Sequence, residues 1–120
     1  MYSLIVLLLA GSPVVYVAPM QVQVKVEVVN VEALISLKAR EFNLNEELVQ
    51  SIIYCESRGK IDALGTNKNG TTDKGLLQIN SIHDVGELDL FNPEDNLDFG
   101  LKMMSEDGTR PWNSSRKCWG

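Results

Sequence analysis

The sequence predicts an α+β fold, predominantly helical, with one small β-hairpin. Three observations carry this. Apolar residues recur at helical spacing through residues 31–57, in two runs broken at Asn43-Leu44-Asn45. A polar stretch over residues 60–74 contains Asn69-Gly70, the dipeptide that best accommodates the positive φ angles of a tight hairpin turn. A later helix opens at Asn92-Pro93-Glu94-Asp95, which combines a cap, Pro at the first helical position and acids in the first turn.

Residues 1–24 contain no Asp, Glu, Lys or Arg, and the apolar run Leu4 to Ala10 ends at Gly11-Ser12-Pro13. An apolar run this short reads as an export signal over residues 1–20, because a spanning helix needs about 20 apolar residues. A transmembrane anchor is the weaker alternative, since Pro13 would interrupt it. Gln21 to Val28 alternates polar residues with Val22, Val24, Val26 and Val28, the period of a strand with one buried face or of an extended N-terminal arm. Residues 21–30 therefore form an extended segment ahead of a single domain, 31–120.

From Val31 the period lengthens. Leu34, Ile35, Leu37 and Phe42 suit a helix of about three turns. Asn45 caps a second helix, with Glu46 and Glu47 where the helix dipole favours anions, and this helix runs to about Ser57 with Gly59 as its stop. Residues 60–74 supply the hairpin. Gly75 to Ser81 reads as a short helical segment, the helix from Pro93 runs to about Glu106, and the last dozen residues read as an irregular tail.

Composition excludes several classes. With 120 residues, 44% hydrophobic and 22% charged, the chain fits one domain and is neither collagenous nor disordered. A chain of this size buries about 60–70% of its unfolded surface, a thin core that a staple would help. Its two cysteines supply one staple at most. Sixteen acids against eleven bases give a net charge of −5, the wrong sign for gripping nucleic acid.

Leu48, Ile52 and Glu56 fall at i, i+4 and i+8, so a helix that buries the first two points Glu56 along the same apolar stripe. Desolvation and the negative helix end would raise its pKa, as a general acid working near neutral pH requires. Asp73 lies beyond the Asn69-Gly70 turn, and a hairpin would fold it back across from Glu56. Two carboxyls facing a sugar are the usual equipment of glycoside cleavage; a lone loop Asp more often serves turn amides. No metal is expected: Gly65 to Leu76 lacks the terminal carboxylates of a calcium loop, and two Cys with His83 give too few zinc ligands. His83 is also the only base available to a Cys nucleophile, which makes that chemistry a poor fit. Trp112 and Trp119 read as core residues, with sugar stacking the alternative.

The string Cys55-Glu56-Ser57, followed by Asn67 through Asp73-Lys74-Gly75-Leu76-Leu77-Gln78-Ile79-Asn80-Ser81, resembles the active-site region of the lysozyme superfamily, which includes animal-type lysozymes and bacterial lytic transglycosylases. The stretch Asn92 to Leu101, with Asn96 and Gly100, and the ending Gly108-Thr109-Arg110-Pro111-Trp112-Asn113-Ser114-Ser115-Arg116-Lys117-Cys118-Trp119 are similar to later parts of small bacterial and phage members. The resemblance covers about residues 31–119. It implies a lysozyme-like fold and cleavage of the β-1,4 bond between N-acetylmuramic acid and N-acetylglucosamine in peptidoglycan glycan strands.

Glu56 matches the family's general acid, and Asp73 its partner as nucleophile or stabiliser. The presence of Asp73 tilts the expectation toward hydrolysis. A lytic transglycosylase giving 1,6-anhydro products is the close alternative, and Lys74 departs from the aromatic often found beside this position. A catalytically silent glycan-binding domain on the same fold is the third reading. Gln78, Asn80 and Ser57 are the substrate-binding candidates, the two amides being equally suited to holding the hairpin against the helix. In an exported chain, a Cys55–Cys118 disulfide would contribute roughly 3–4 kcal/mol by chain entropy and pin the tail beside the helix that carries Glu56. The expected molecule is a monomer outside the cytoplasm, in the envelope or secreted, using no cofactor.

Overall fold

A computed structural model describes residues 18–19 and 30–120. The expected export signal and the extended segment over 21–30 lie outside the described residues apart from Ala18, Pro19 and Asn30. The described order is α1 (Val31–Glu41), α2 (Glu46–Ser57), β1 (Leu64–Thr66), β2 (Thr72–Lys74), β3 (Ile79–Asn80), α3 (Pro93–Asp107), a 3₁₀ helix (Arg110–Ser115) and α4 (Arg116–Trp119).

Each longer helix starts where an Asn side chain satisfies an otherwise orphaned backbone N–H. Asn30 accepts from the Ala33 amide at 3.1 Å, Asn45 from Leu48 at 2.9 Å, and Asn92 from Glu94 and Asp95 at 2.9 and 3.0 Å. Helix α2 closes on Arg58 and Gly59, both left-handed with φ of 57° and 75°, so the chain leaves it directly after Glu56 and Ser57. The three helices share one core built from Ile35, Ala39, Val49, Ile52, Ile53, Leu97, Leu101 and Met104.

At the join between α1 and α3 sits Lys38, a cation among buried apolar residues. Its ammonium lies 2.7 Å from Asp98, 3.4 Å from Glu41 and 3.5 Å from Glu94. The hydrogen bond to Asp98, foremost, raises its pKa against the opposing effect of burial, so the charge is retained inside the fold.

The sheet is three-stranded and antiparallel, in the order β1-β2-β3. Residues 75–81 correct the expectation of a helix there. Gly75 at φ 75° and Gln78 at φ 49° are both left-handed, which breaks any helical run and folds the segment into a turn that delivers Ile79 and Asn80 as a third strand. At Gly75 a Cβ would fall 2.2 Å from the Leu90 carbonyl, so only glycine fits. The tail is likewise more regular than expected: residues 110–119 form the 3₁₀ helix and α4, with Trp112 at 3% exposure anchoring them in the core.

Helix α3 seats directly on the turn. A Cβ on Gly100 would come within 2.4 Å of Leu77 Cδ1. Asn96, fully buried, accepts from the Leu77 amide and donates to the Lys74 and Leu90 carbonyls, each at 2.9 Å. Asn96→Ala would orphan one N–H and two carbonyls around this turn. We expect a loss of about 3 kcal/mol, read as a lower urea midpoint at unchanged slope.

Candidate active site

Glu56 ends the apolar stripe of α2 begun by Leu48 and Ile52, and its half-buried carboxyl opens into a cleft of about 540 Å³. One wall is the sheet with its β1–β2 loop, contributing Asn67, Thr71, Asp73, Gln78 and Asn80. The other is the tail, contributing Pro111, Trp112 and Ser114, and Met103 and His83 also line the cleft. The volume is of the size that holds a small ligand. The Glu56 carboxyl is pushed above the usual carboxylate range, chiefly by burial. The Asp73 charge pushes the same way, while the hydrogen bond donated by Ser115 opposes both.

Asp73 occupies the central strand, paired with Gly65 on one side and Asn80 on the other. Its two oxygens are both engaged: Asn67 Nδ2 donates to Oδ2 at 2.9 Å and Asn80 Nδ2 to Oδ1 at 2.8 Å. Each amide donates its second hydrogen to Thr71 Oγ1, at 3.0 and 3.1 Å, and the Thr71 hydroxyl donates to Asn69 Oδ1 at 2.7 Å. A closed network thus ties the Asn69-Gly70 turn, where Gly70 sits at φ 87°, to the third strand. The expected hairpin turn is present, and it brings Glu56 and Asp73 to one cleft.

The three substrate-binding candidates fare differently. Asn80 and Gln78 line the cleft, yet their donors are already spent. Gln78 Nε2 donates to the Ala63 and Gly75 carbonyls at 3.1 and 3.0 Å, and Asn80 Nδ2 donates to Asp73 and Thr71, while Asn80 Oδ1 accepts from the Ile82 amide at 3.0 Å. These bonds tie the sheet and its flanking turn together while both side chains remain in the cleft lining. Ser57 stands apart from them: at 5% exposure, its hydroxyl donates to the Ile53 carbonyl and accepts from the Gly59 amide, finishing α2, and it is not among the residues that line the cleft.

Cys55 and Cys118 form a disulfide across 63 residues of chain. It joins α2 to α4 one residue from Glu56, and α4 follows Ser115, whose hydroxyl donates to Glu56 Oε2. Ser115 and Asn67 were not among the sequence candidates. Both stand in segments the sequence singles out, the Pro111-Trp112 ending and the Asn69-Gly70 turn, but only the folded contacts separate them from their neighbours. Trp112 is a core residue, as expected: its indole N–H donates to the Leu77 carbonyl at 2.8 Å.

Three helices around a shared core, a small sheet, and a cleft with a half-buried carboxyl at a helix end define a lysozyme-like domain. More particularly, the chain belongs to the transglycosylase SLT domain family, whose pattern it matches over residues 33–118. Over 42 residues it is also 50% identical to the invasion protein IagB of Salmonella typhimurium and of Salmonella typhi. That match covers 35% of this chain and 26% of the relative, so the chain aligns with about a quarter of the length of these curated proteins. Among the described residues no helix is long and apolar enough to cross a membrane.

Proposed function

We propose that the domain is a lytic transglycosylase that cuts peptidoglycan glycan strands between N-acetylmuramic acid and N-acetylglucosamine. The observation that carries this reading is the half-buried Glu56, held by Ser115 in the cleft of an SLT-family domain. Burial pushes its carboxyl above the usual carboxylate range, so it holds its proton more tightly than a free carboxyl does, as a donor to the leaving glycosidic oxygen requires.

In this reading Glu56 gives its proton to that oxygen as the bond to the muramic C1 breaks. The muramic C6 hydroxyl oxygen then bonds to C1, and its proton returns to Glu56. No water is consumed. One carboxyl serves first as acid and then as base, so the chemistry needs no second nucleophile. The double hydrogen bonding of Asp73 supports a supporting role: its charge raises the Glu56 pKa and favours a cationic transition state, while its oxygens hold the sheet. Hydrolysis with Asp73 as the nucleophile is the second reading, favoured by the carboxylate standing in the same cleft.

Asp73→Asn separates the two. Release of soluble muropeptides from purified peptidoglycan is expected to fall by about tenfold in the transglycosylase reading, where only electrostatic support is lost. A nucleophile lost to an amide would remove turnover by about 10²-fold or more. The disulfide supports a site of action in an oxidising compartment such as the envelope, where the glycan substrate also resides.

A further inference from the structure

Ser115 closes a hydrogen-bond chain onto Glu56. Trp119 Nε1 donates to Ser115 Oγ at 3.0 Å, and Ser115 Oγ donates to Glu56 Oε2. The Trp112 carbonyl, 3.0 Å from the same hydroxyl, also accepts from Trp119 Nε1 at 3.3 Å. A hydroxyl has one proton to give and an indole N–H can only donate. With the indole filling a lone pair of Ser115 and serving the Trp112 carbonyl, the hydroxyl proton is free to face Glu56 and no buried group is orphaned. Such chained bonds polarise one another.

We propose that Ser115, oriented by Trp119, is a positioning residue that pins Glu56 Oε2 and so keeps the transferable proton on Oε1. This rests on the reading of Glu56 as acid and base. Because Ser115 donates to Oε2, that oxygen serves as the acceptor in both halves of the cycle. Oε1 gives the proton to the leaving oxygen and receives it back from the C6 hydroxyl. The donor also steadies the carboxylate that exists between the two steps, when the first proton has gone and the second has not arrived. The disulfide at Cys118 then acquires a functional consequence, since α4 carries Trp119 to its place beside Ser115.

The test is the pH dependence of kcat and KM on soluble glycan strands for the full chain and three variants. Activity requires protonated Glu56, so its ionisation gives the alkaline limb. Ser115→Ala removes a donor to the charged form, so that limb is expected to move up by about one pH unit, with kcat down about tenfold and KM unchanged. Ser115→Thr, which keeps the hydroxyl, is expected to restore both. Trp119→Phe keeps most of the ring packing and loses only the N–H, and should move the limb the same way by less.

A wild-type limb and kcat in Ser115→Ala would overturn the proposal. So would a loss of activity in Ser115→Ala that leaves the limb in place and that threonine fails to repair, since that is the pattern of a residue that only packs the tail. Should Ser115→Ala not fold, an unmoved limb in folded Trp119→Phe overturns it equally. Failure of the Glu56 reading itself looks different: Glu56→Gln would then keep its turnover, whereas failure of the Ser115 role leaves Glu56→Gln inactive.

Discussion

Glu56→Gln is expected to lower peptidoglycan cleavage by about 10²–10⁴-fold while leaving the domain folded. The exchange is nearly isosteric. The glutamine carbonyl can still accept from Ser115, so the tail keeps its contact with α2. What disappears is the proton and the capacity to take one back.

The same substitution makes a second, opposite prediction about stability. Burial, foremost, raises the Glu56 pKa, so the folded state holds this proton more tightly than the unfolded chain does. Above the usual carboxylate range the ionised side chain therefore opposes folding, and in more acidic solution that opposition vanishes. Glu56→Gln should unfold no earlier than the wild type at neutral pH, with the difference between them closing as the pH falls. A variant at once inactive and at least as stable is the signature of a residue kept for chemistry. Full activity in the variant would remove Glu56 from the mechanism.

Breaking the disulfide is expected to have the largest effect on stability. Closing 63 residues of chain restricts the unfolded state by about 4 kcal/mol, a large share of what a domain this small retains in total. Reduction, or Cys55→Ala with Cys118→Ala, should lower the midpoint of thermal unfolding by on the order of 15–30 °C. The loss should extend to activity at temperatures where the domain is still folded, because α4 is the element that Cys118 ties down beside Glu56. An unchanged midpoint would mean that Trp112, buried and bonded to the Leu77 carbonyl, holds the tail by itself.

The helices were legible because their signals are local. Asn45 and Asn92 announce helix starts through side-chain geometry that operates within three residues, and the Leu48-Ile52-Glu56 stripe follows from helical period alone. The segment from Gly75 to Ser81 reads as a helix because its apolar residues fit a helix as well as a turn. Only the left-handed backbone at Gly75 and Gln78, imposed by the close approach of Leu90 and by bonds to the distant Ala63, decides for the turn.

The site divides along the same line. The candidate pair, Glu56 and Asp73, stands out in the sequence through the stripe, the turn and a recognisable string of residues. Their partners depend on contacts over long sequence separations, such as the 59 residues between Ser115 and Glu56, about which a local pattern says nothing. Gln78 and Asn80 had two open roles on paper. The structure uses both amides as internal bonds, a matter of where the Ala63 carbonyl and the Asp73 carboxylate come to rest.

In the proposed reaction the muramic C6 hydroxyl, and not water, completes the cycle. Mass spectrometry of the soluble products released from purified peptidoglycan in ¹⁸O-labelled water, with Glu56→Gln as the control, tests it most directly. The expected products are 1,6-anhydro muropeptides, lighter by one water than their reducing counterparts and free of label. Reducing muropeptides carrying ¹⁸O at the new end would contradict the claim and make Asp73 the partner in a hydrolysis.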